Sequence, residues 1–150
     1  MIMKKLLRIF PLMLLAFIGI AAFTACSDDD DHQIVAEDQL PTTAKTFIEQ
    51  YYPSVAVVSV HKDKSEYEVV FSDGTRIDFD HSGNWQDVDA PAGKAVPSGF
   101  YPAAIDSYVA TNYPADGINE ISKDKGNYEV DLISGIDLEF SSDGSFIRVD

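Results

Sequence analysis

The chain of 150 residues has a single cysteine, Cys26, so no disulfide can form within it and its fold must rest on a core. Its three histidines, His32, His61 and His81, are dispersed, whereas zinc sites use clustered His or Cys. They read as surface residues. No serine stands in a nucleophile-elbow context. Carboxylates are plentiful, but they fall on strands with an open face. Such a face lacks the dry pocket that drives the pKa values of an acid and a base apart. The expected class is therefore non-enzymatic, with no catalytic residues. Cations are scarce: 11 Lys and Arg stand against 25 Asp and Glu, for a net charge of −14. Lys4, Lys5 and Arg8 lie in the first 25 residues, so the remainder carries about −17. That balance excludes nucleic acid and anionic headgroups as surface partners and favours basic proteins, basic peptides or divalent cations.

Long apolar runs are also missing, with one exception. Behind the basic start, Ile9 to Phe23 is apolar apart from Pro11 and Gly19. This is shorter than the roughly 20 residues of a membrane span. It ends in Phe23-Thr24-Ala25-Cys26, which resembles a bacterial lipobox with Phe in the usual place of Leu. Residues 1–25 are predicted to be a lipoprotein signal peptide and Cys26 the lipidated residue, with the lipid as the sole membrane anchor. Ser27-Asp28-Asp29-Asp30-Asp31 follows directly. Such a run is usually a solvated spacer. Its position also looks like the export signal that sends lipoproteins of some gut Gram-negative bacteria to the outer face of the outer membrane. The expected location is the cell surface, with a periplasm-facing lipoprotein as the alternative. Residues 26–39 read as an acidic tether.

Residues 40–89 align without a gap on residues 101–150, with 14 identities in 50 positions. Tyr52-Pro53 matches Tyr113-Pro114, Lys62-Asp63-Lys64 matches Lys123-Asp124-Lys125, and Tyr67-Glu68-Val69 matches Tyr128-Glu129-Val130. Gly74, Phe79, Gly83 and Val88-Asp89 recur as Gly135, Phe140, Gly144 and Val149-Asp150. Conservation of turn and core positions at a fixed offset points to duplication.

Each repeat predicts a helix and then four strands. Leu40, Ala44, Phe47, Ile48 and Tyr51 form one apolar stripe at helical spacing, and Tyr101, Ile105, Tyr108 and Val109 form its partner. Pro41 and Pro102 suit the first helical turn, and Pro53 and Pro114 stop the helices. The strands run near 56–62, 66–72, 75–80 and 85–89, then near 118–123, 128–133, 136–140 and 145–149. Asp73-Gly74, Ser82-Gly83, Ser134-Gly135 and Asp143-Gly144 mark the hairpins. Residues 90–100, with two prolines and two glycines, link the repeats. Alternation puts Tyr67, Val69, Phe71, Ile77 and Phe79 on a buried face, matched by Tyr128, Val130, Leu132, Leu138 and Phe140. Glu66, Glu68, Asp78, Asp80, Glu129, Asp131, Asp137 and Glu139 fall on the other face, which meets water.

With Tyr-Pro after each helix and Gly-punctuated hairpins, residues 40–150 resemble the PepSY-like, beta-lactamase-inhibitor-like domains. The resemblance implies an α+β fold of two tandem helix-plus-meander repeats, with one eight-stranded antiparallel sheet and the helices on one face. It also implies peptidase restraint or other protein binding, without catalysis. No contact residues carry over, and fold alone does not settle function.

The leading expectation is a cell-envelope lipoprotein that binds a protein or peptide, with a basic surface as the favoured partner. The binding face would comprise Glu66, Glu68, Asp78, Asp80, Trp85, Glu129, Asp131, Asp137 and Glu139. Trp85, Tyr51, Tyr52 and Tyr113 could serve as anchors, but core and helix-end packing is the favoured role for them. The alternative is a calcium-responsive protein whose acidic face takes divalent cations. Asp78, Asp80, Ser82 and Asp89 have the spacing of a calcium loop, but they straddle strands and lack flanking helices. A structural surface lipoprotein is the third reading. No other cofactor is expected.

Overall fold

The computed structural model describes residues 33–150, so Cys26 and Ser27 to Asp31 lie outside the described residues. Two helices form where the stripes predict them: α1 (Thr42–Tyr51) and α2 (Ala103–Asn112). Pro41 and Pro102 stand one position earlier than expected, as extended caps ahead of the first turn. At the other end, the Tyr52 and Tyr113 amides donate back to Ile48 and Val109, both at 2.8 Å. Pro53 and Pro114 then forbid another turn.

The strands are β1 (Gln33–Val35), β2 (Val57–Lys62), β3 (Glu66–Phe71), β4 (Arg76–Asp80) and β5 (Trp85–Asp89). After α2 come β6 (Ile118–Asp124), β7 (Asn127–Leu132), β8 (Asp137–Phe140) and β9 (Phe146–Val149). They lie in chain order in one antiparallel sheet, each paired with its sequence neighbours. The sheet thus has nine strands rather than eight. The additional strand, β1, arises inside the predicted tether, and residues 37–39 add a short 3-10 turn. Three residues are too few to display a period of two, so β1 is invisible to alternation. It pairs Ile34 with His61 and Val35 with Val60.

Pairing of β5 with β6 makes the sheet continuous, through Asp87 with Ser122, Val88 with Ile121 and Asp89 with Glu120. The linker between them is fastened down. The Asn119 side-chain amide donates to the carbonyls of Ala90, Pro91 and Lys94 at 3.1, 3.1 and 2.8 Å. The Val96 amide donates to Ile118 at 2.8 Å.

The register places one aliphatic row across the whole sheet on its helix side. In order it reads Val35, Val60, Val69, Ile77, Val88, Ile121, Val130, Leu138 and Val149. The seven inner members are at most 1% exposed. Beside it runs Lys62, Tyr67, Phe79 and Trp85, then Lys123, Tyr128, Phe140 and Phe146. The helices close this face with Ala44 and Ile48 from α1 and Ile105 and Val109 from α2. Phe47 meets Phe79 edge-on at 5.6 Å, and Tyr108 meets Phe140 likewise at 5.4 Å.

Two hairpin tips touch the helix starts closely enough to require glycine. A Cβ on Gly83 would lie 2.8 Å from the Ala44 nitrogen and from the Pro41 Cβ, and one on Gly144 would lie 2.8 Å from the Pro102 Cβ. Both have φ near +85° (85° and 84°). Gly83→Ala and Gly144→Ala are each expected to lower unfolding free energy by about 2–4 kcal/mol. Gly126→Ala has the same kind of φ (+88°) but nothing within 4 Å, and should cost about 1 kcal/mol. Urea unfolding of the three variants checks this; equal losses would show that the helix contact contributes nothing.

Candidate functional site

The face opposite the helices is built by the same register. One row across it reads Ile34, His61, Glu68, Asp78, Asp87, Ser122, Glu129, Glu139 and Arg148. The next reads Val70, Arg76, Asp89, Glu120, Asp131 and Asp137. Glu66 stands opposite Asp80 at one end. Directly opposed residues on neighbouring strands have Cβ atoms about 5 Å apart, and like charges so placed repel. The cations sit at the margins: Arg76 is the first charged residue of one row, and Arg148 ends the other, 2.6 Å from Glu139.

The eight carboxylates assigned to the open face by alternation are all on it. Trp85 is not. Strict alternation would place it with Asp87 and Asp89, but β5 carries a bulge that sets Phe79 against Trp85 while Asp78 faces Asp87. The extra residue turns the indole to the helix side, where it is 8% exposed. There it meets Phe100 edge-on at 5.0 Å and stacks on Tyr128 at 6.1 Å. The Lys123 ammonium lies 3.8 Å above its ring and donates to its carbonyl at 2.9 Å. The assignment of Trp85 to a partner-binding face is corrected accordingly. Tyr52 is buried too, and Tyr51 donates to the Gly99 carbonyl at 3.0 Å.

Asp87 and Glu120 belong to the face but escape sequence reasoning, because repeats treated separately hide the β5–β6 register. No local signal marks them. The four residues with calcium-loop spacing are spread out. Asp80 caps its own hairpin, accepting from the Ser82 and Asn84 amides at 2.8 and 2.9 Å. Asp78 faces Asp87, while Asp89 faces Arg76 at the opposite end of β4 from Asp80. Among the described residues, no three His, Cys, Asp or Glu side chains form a group able to hold a metal ion. A groove of about 330 Å³ at the β6–β7 hairpin is lined by Gln86, Lys123, Lys125, Gly126, Asn127 and Tyr128, and the Asn127 side-chain amide donates to Glu139 of the first row at 2.8 Å.

Burial and crowding change the acidity of the second row. Burial, then Asp131 and Asp89, push the Glu120 carboxyl up to about 7, against a hydrogen bond with Asp87. Burial, then Asp137 and Glu129, push Asp131 up to about 6. Burial also raises Asp89, against the pull of Arg76. Two carboxyls outside the rows shift the other way. Hydrogen bonds from Ser134 hold Asp116 down, and those from Ser141 and Ser145 hold Asp143 down to about 2.

The chain matches the family model described as "Putative beta-lactamase-inhibitor-like, PepSY-like" over residues 29–69 and 65–148. Among solved structures, it is similar to a "putative calcium-regulated periplasmic protein" from Bacteroides thetaiotaomicron. The two share 35% identity, with 80% of this chain and 97% of that one covered and a TM-score of 0.75. A "putative periplasmic protein from DUF2874 family" of Bacteroides vulgatus gives 35% identity, coverage of 82% and 99%, and a TM-score of 0.75. A second Bacteroides vulgatus protein, described as "a putative periplasmic protein of unknown function", gives 27%, 79% and 98%, and 0.73. No curated protein sequence matches.

The raised carboxyls fix the sign of a pH dependence. Glu120 and Asp131 hold protons more tightly folded than unfolded. Their contribution to stability is complete below about pH 4 and is lost as pH rises through about 6 to 7. Asp116 and Asp143 act oppositely: their contribution is complete above about pH 4 and is lost as pH falls below it, for Asp143 through about 2. The melting temperature should therefore peak near pH 5 and fall toward pH 8. Glu120→Gln should raise it by about 2–6 °C at pH 8 and leave it nearly unchanged near pH 5. Calorimetry across this range checks both; a wild-type profile that rises from pH 5 to pH 8 contradicts the crowding account.

Proposed function

The chain belongs to the PepSY-like, beta-lactamase-inhibitor-like family, and from that premise we propose that it is a non-enzymatic binding module of the cell envelope. Its two helix-plus-meander halves descend from one duplicated unit, in the manner of the beta-lactamase inhibitor protein. Cys26 carries the lipid that holds it to the outer membrane, with the acidic run behind it directing the domain to the cell surface. The partner is a protein or peptide with a basic surface, which a peptidase under restraint would also satisfy. The observation that supports this most directly is the pair of carboxylate rows, which span the six strands β3 to β8 on a face that no described element covers. Repulsion within them lowers stability, and a basic partner would relieve it while making complementary charge pairs. The relatives described as periplasmic support an envelope location.

A second reading is favoured by one relative, which shares 35% identity and is described as calcium-regulated. Here divalent cations would shield the same rows and thereby tune partner binding.

The two readings separate experimentally. A partner recovered from envelope fractions and identified by mass spectrometry should bind at least about tenfold more weakly to Glu68→Lys with Glu129→Lys, and more weakly as NaCl rises. The variant's circular dichroism should stay native; unchanged affinity in the double variant would remove the face from the interface. Millimolar Ca2+ should raise the melting temperature beyond NaCl of matched ionic strength. Equal shifts would reduce the calcium effect to screening.

A further inference from the structure

β5 and β9 are the same strand in structural terms, but among the described residues only β5 is covered on both sides. Val88 pairs with Ile77 as Val149 pairs with Leu138, Asp87 with Asp78 as Arg148 with Glu139, and Trp85 with Phe79 as Phe146 with Phe140. Each strand has its register shift at the same place. On the far side of β5 lies β6. Ile121 continues the aliphatic row against Val88, and Lys123 continues the aromatic row by setting its ammonium over Trp85. Val88 is consequently 0% exposed. On the far side of β9, among the described residues, no strand pairs. Both rows stop there with apolar side chains in water: Val149 is 52% exposed and Phe146 37%. Tyr108 of α2 stacks on one face of the Phe146 ring at 4.4 Å and fixes its orientation. The Asp150 amide donates inward to Asp137 at 2.9 Å. Amides alternate along a strand, so that of Val149 points outward as a donor without a ladder partner. Arg148 is drawn to the open face by Glu139 and Asp150 and does not guard the helix side of this edge.

We propose that the outer edge of β9 binds an extended segment of a partner protein as a tenth, antiparallel strand, selecting an aliphatic residue followed two positions later by lysine or arginine. Main-chain hydrogen bonds supply affinity in this mode of recognition, and alternate side chains supply specificity. The preferred pattern comes from β6, where Ile121 and Lys123 occupy these two places on the equivalent strand. The same pattern recurs in β2 as Val60 and Lys62, with the Lys62 ammonium 5.4 Å from the Tyr67 ring centre. A cation also suits a chain with a net charge of −14. This surface is separate from the carboxylate rows and stands independently of their role.

The test uses the full chain in mild detergent and a fluorescein-labelled peptide with the sequence of residues 118–124, followed by anisotropy. The peptide should bind saturably, and replacing its lysine by glutamate should weaken binding at least about tenfold. In the protein, Val149→Pro removes the outward donor and should weaken binding by a similar factor while circular dichroism remains native. If that variant does not fold, Val149→Lys keeps the backbone and should repel the peptide equally. Glu68→Lys with Glu129→Lys should change affinity by less than about threefold at 150 mM salt, which distinguishes the edge from the face. Absence of saturable binding overturns the proposal, as does affinity unchanged by both Val149 variants. A concentration-dependent dimer in sedimentation that Val149→Pro dissolves also overturns it, by assigning the edge to a second copy of this chain.

Discussion

The aliphatic row from Val35 to Val149 is the constraint on which everything else hangs. A pleated strand sends alternate side chains to opposite faces, so fixing one row fixes all of them. Once Val88 is held against Ile121, the two halves share a sheet, the linker must fold back over β6, and Lys123 must lie over Trp85. The same pairing puts Glu120 between Asp89 and Asp131. No residue on the open face chooses its neighbours; the buried row chooses for it.

The two faces therefore have opposite energetics. The helix side gains from burying aliphatic and aromatic surface, about 25 cal/mol for each Å² removed from water. The open side loses from carboxylates set opposite one another, and burial first and neighbouring carboxylates second raise the pKa values of Glu120 and Asp131. The fold carries this conflict because the favourable term involves a complete core and the unfavourable one is softened by solvent, by protonation and by arginines at the margins. A surface under such repulsion gains from any cation that comes near.

Much of the fold was legible from residues with strong local meaning. Pro53 and Pro114 stop helices, glycines mark hairpins, and runs such as Tyr67-Glu68-Val69 alternate cleanly, so the boundaries of β2 to β9 fall within two residues of those expected. What escaped was non-local or too short. β1 is recognised by its pairing with β2, not by its own three residues. Trp85 was assigned to the wrong face because the β5 bulge breaks the parity of alternation, and a bulge has no side-chain signature here. Of the candidate site, the carboxylates were readable one strand at a time. Their assembly into rows needed the cross-strand register, and Asp87 and Glu120 became visible with it.

A sheet laid down strictly in chain order also has a mechanical character. Eight steps of about 4.8 Å separate β1 from β9, so the two edges stand roughly 38 Å apart with every rung of the ladder between them. Tension applied through the segment before β1 and a partner held at β9 would run across the strands. The load would fall on one strand pair at a time, beginning with the three residues of β1, instead of being shared by all in shear. The molecule would then yield by peeling from its edges, and the β5–β6 pairing, reinforced by Asn119 and the fastened linker, would be the place where the tear pauses.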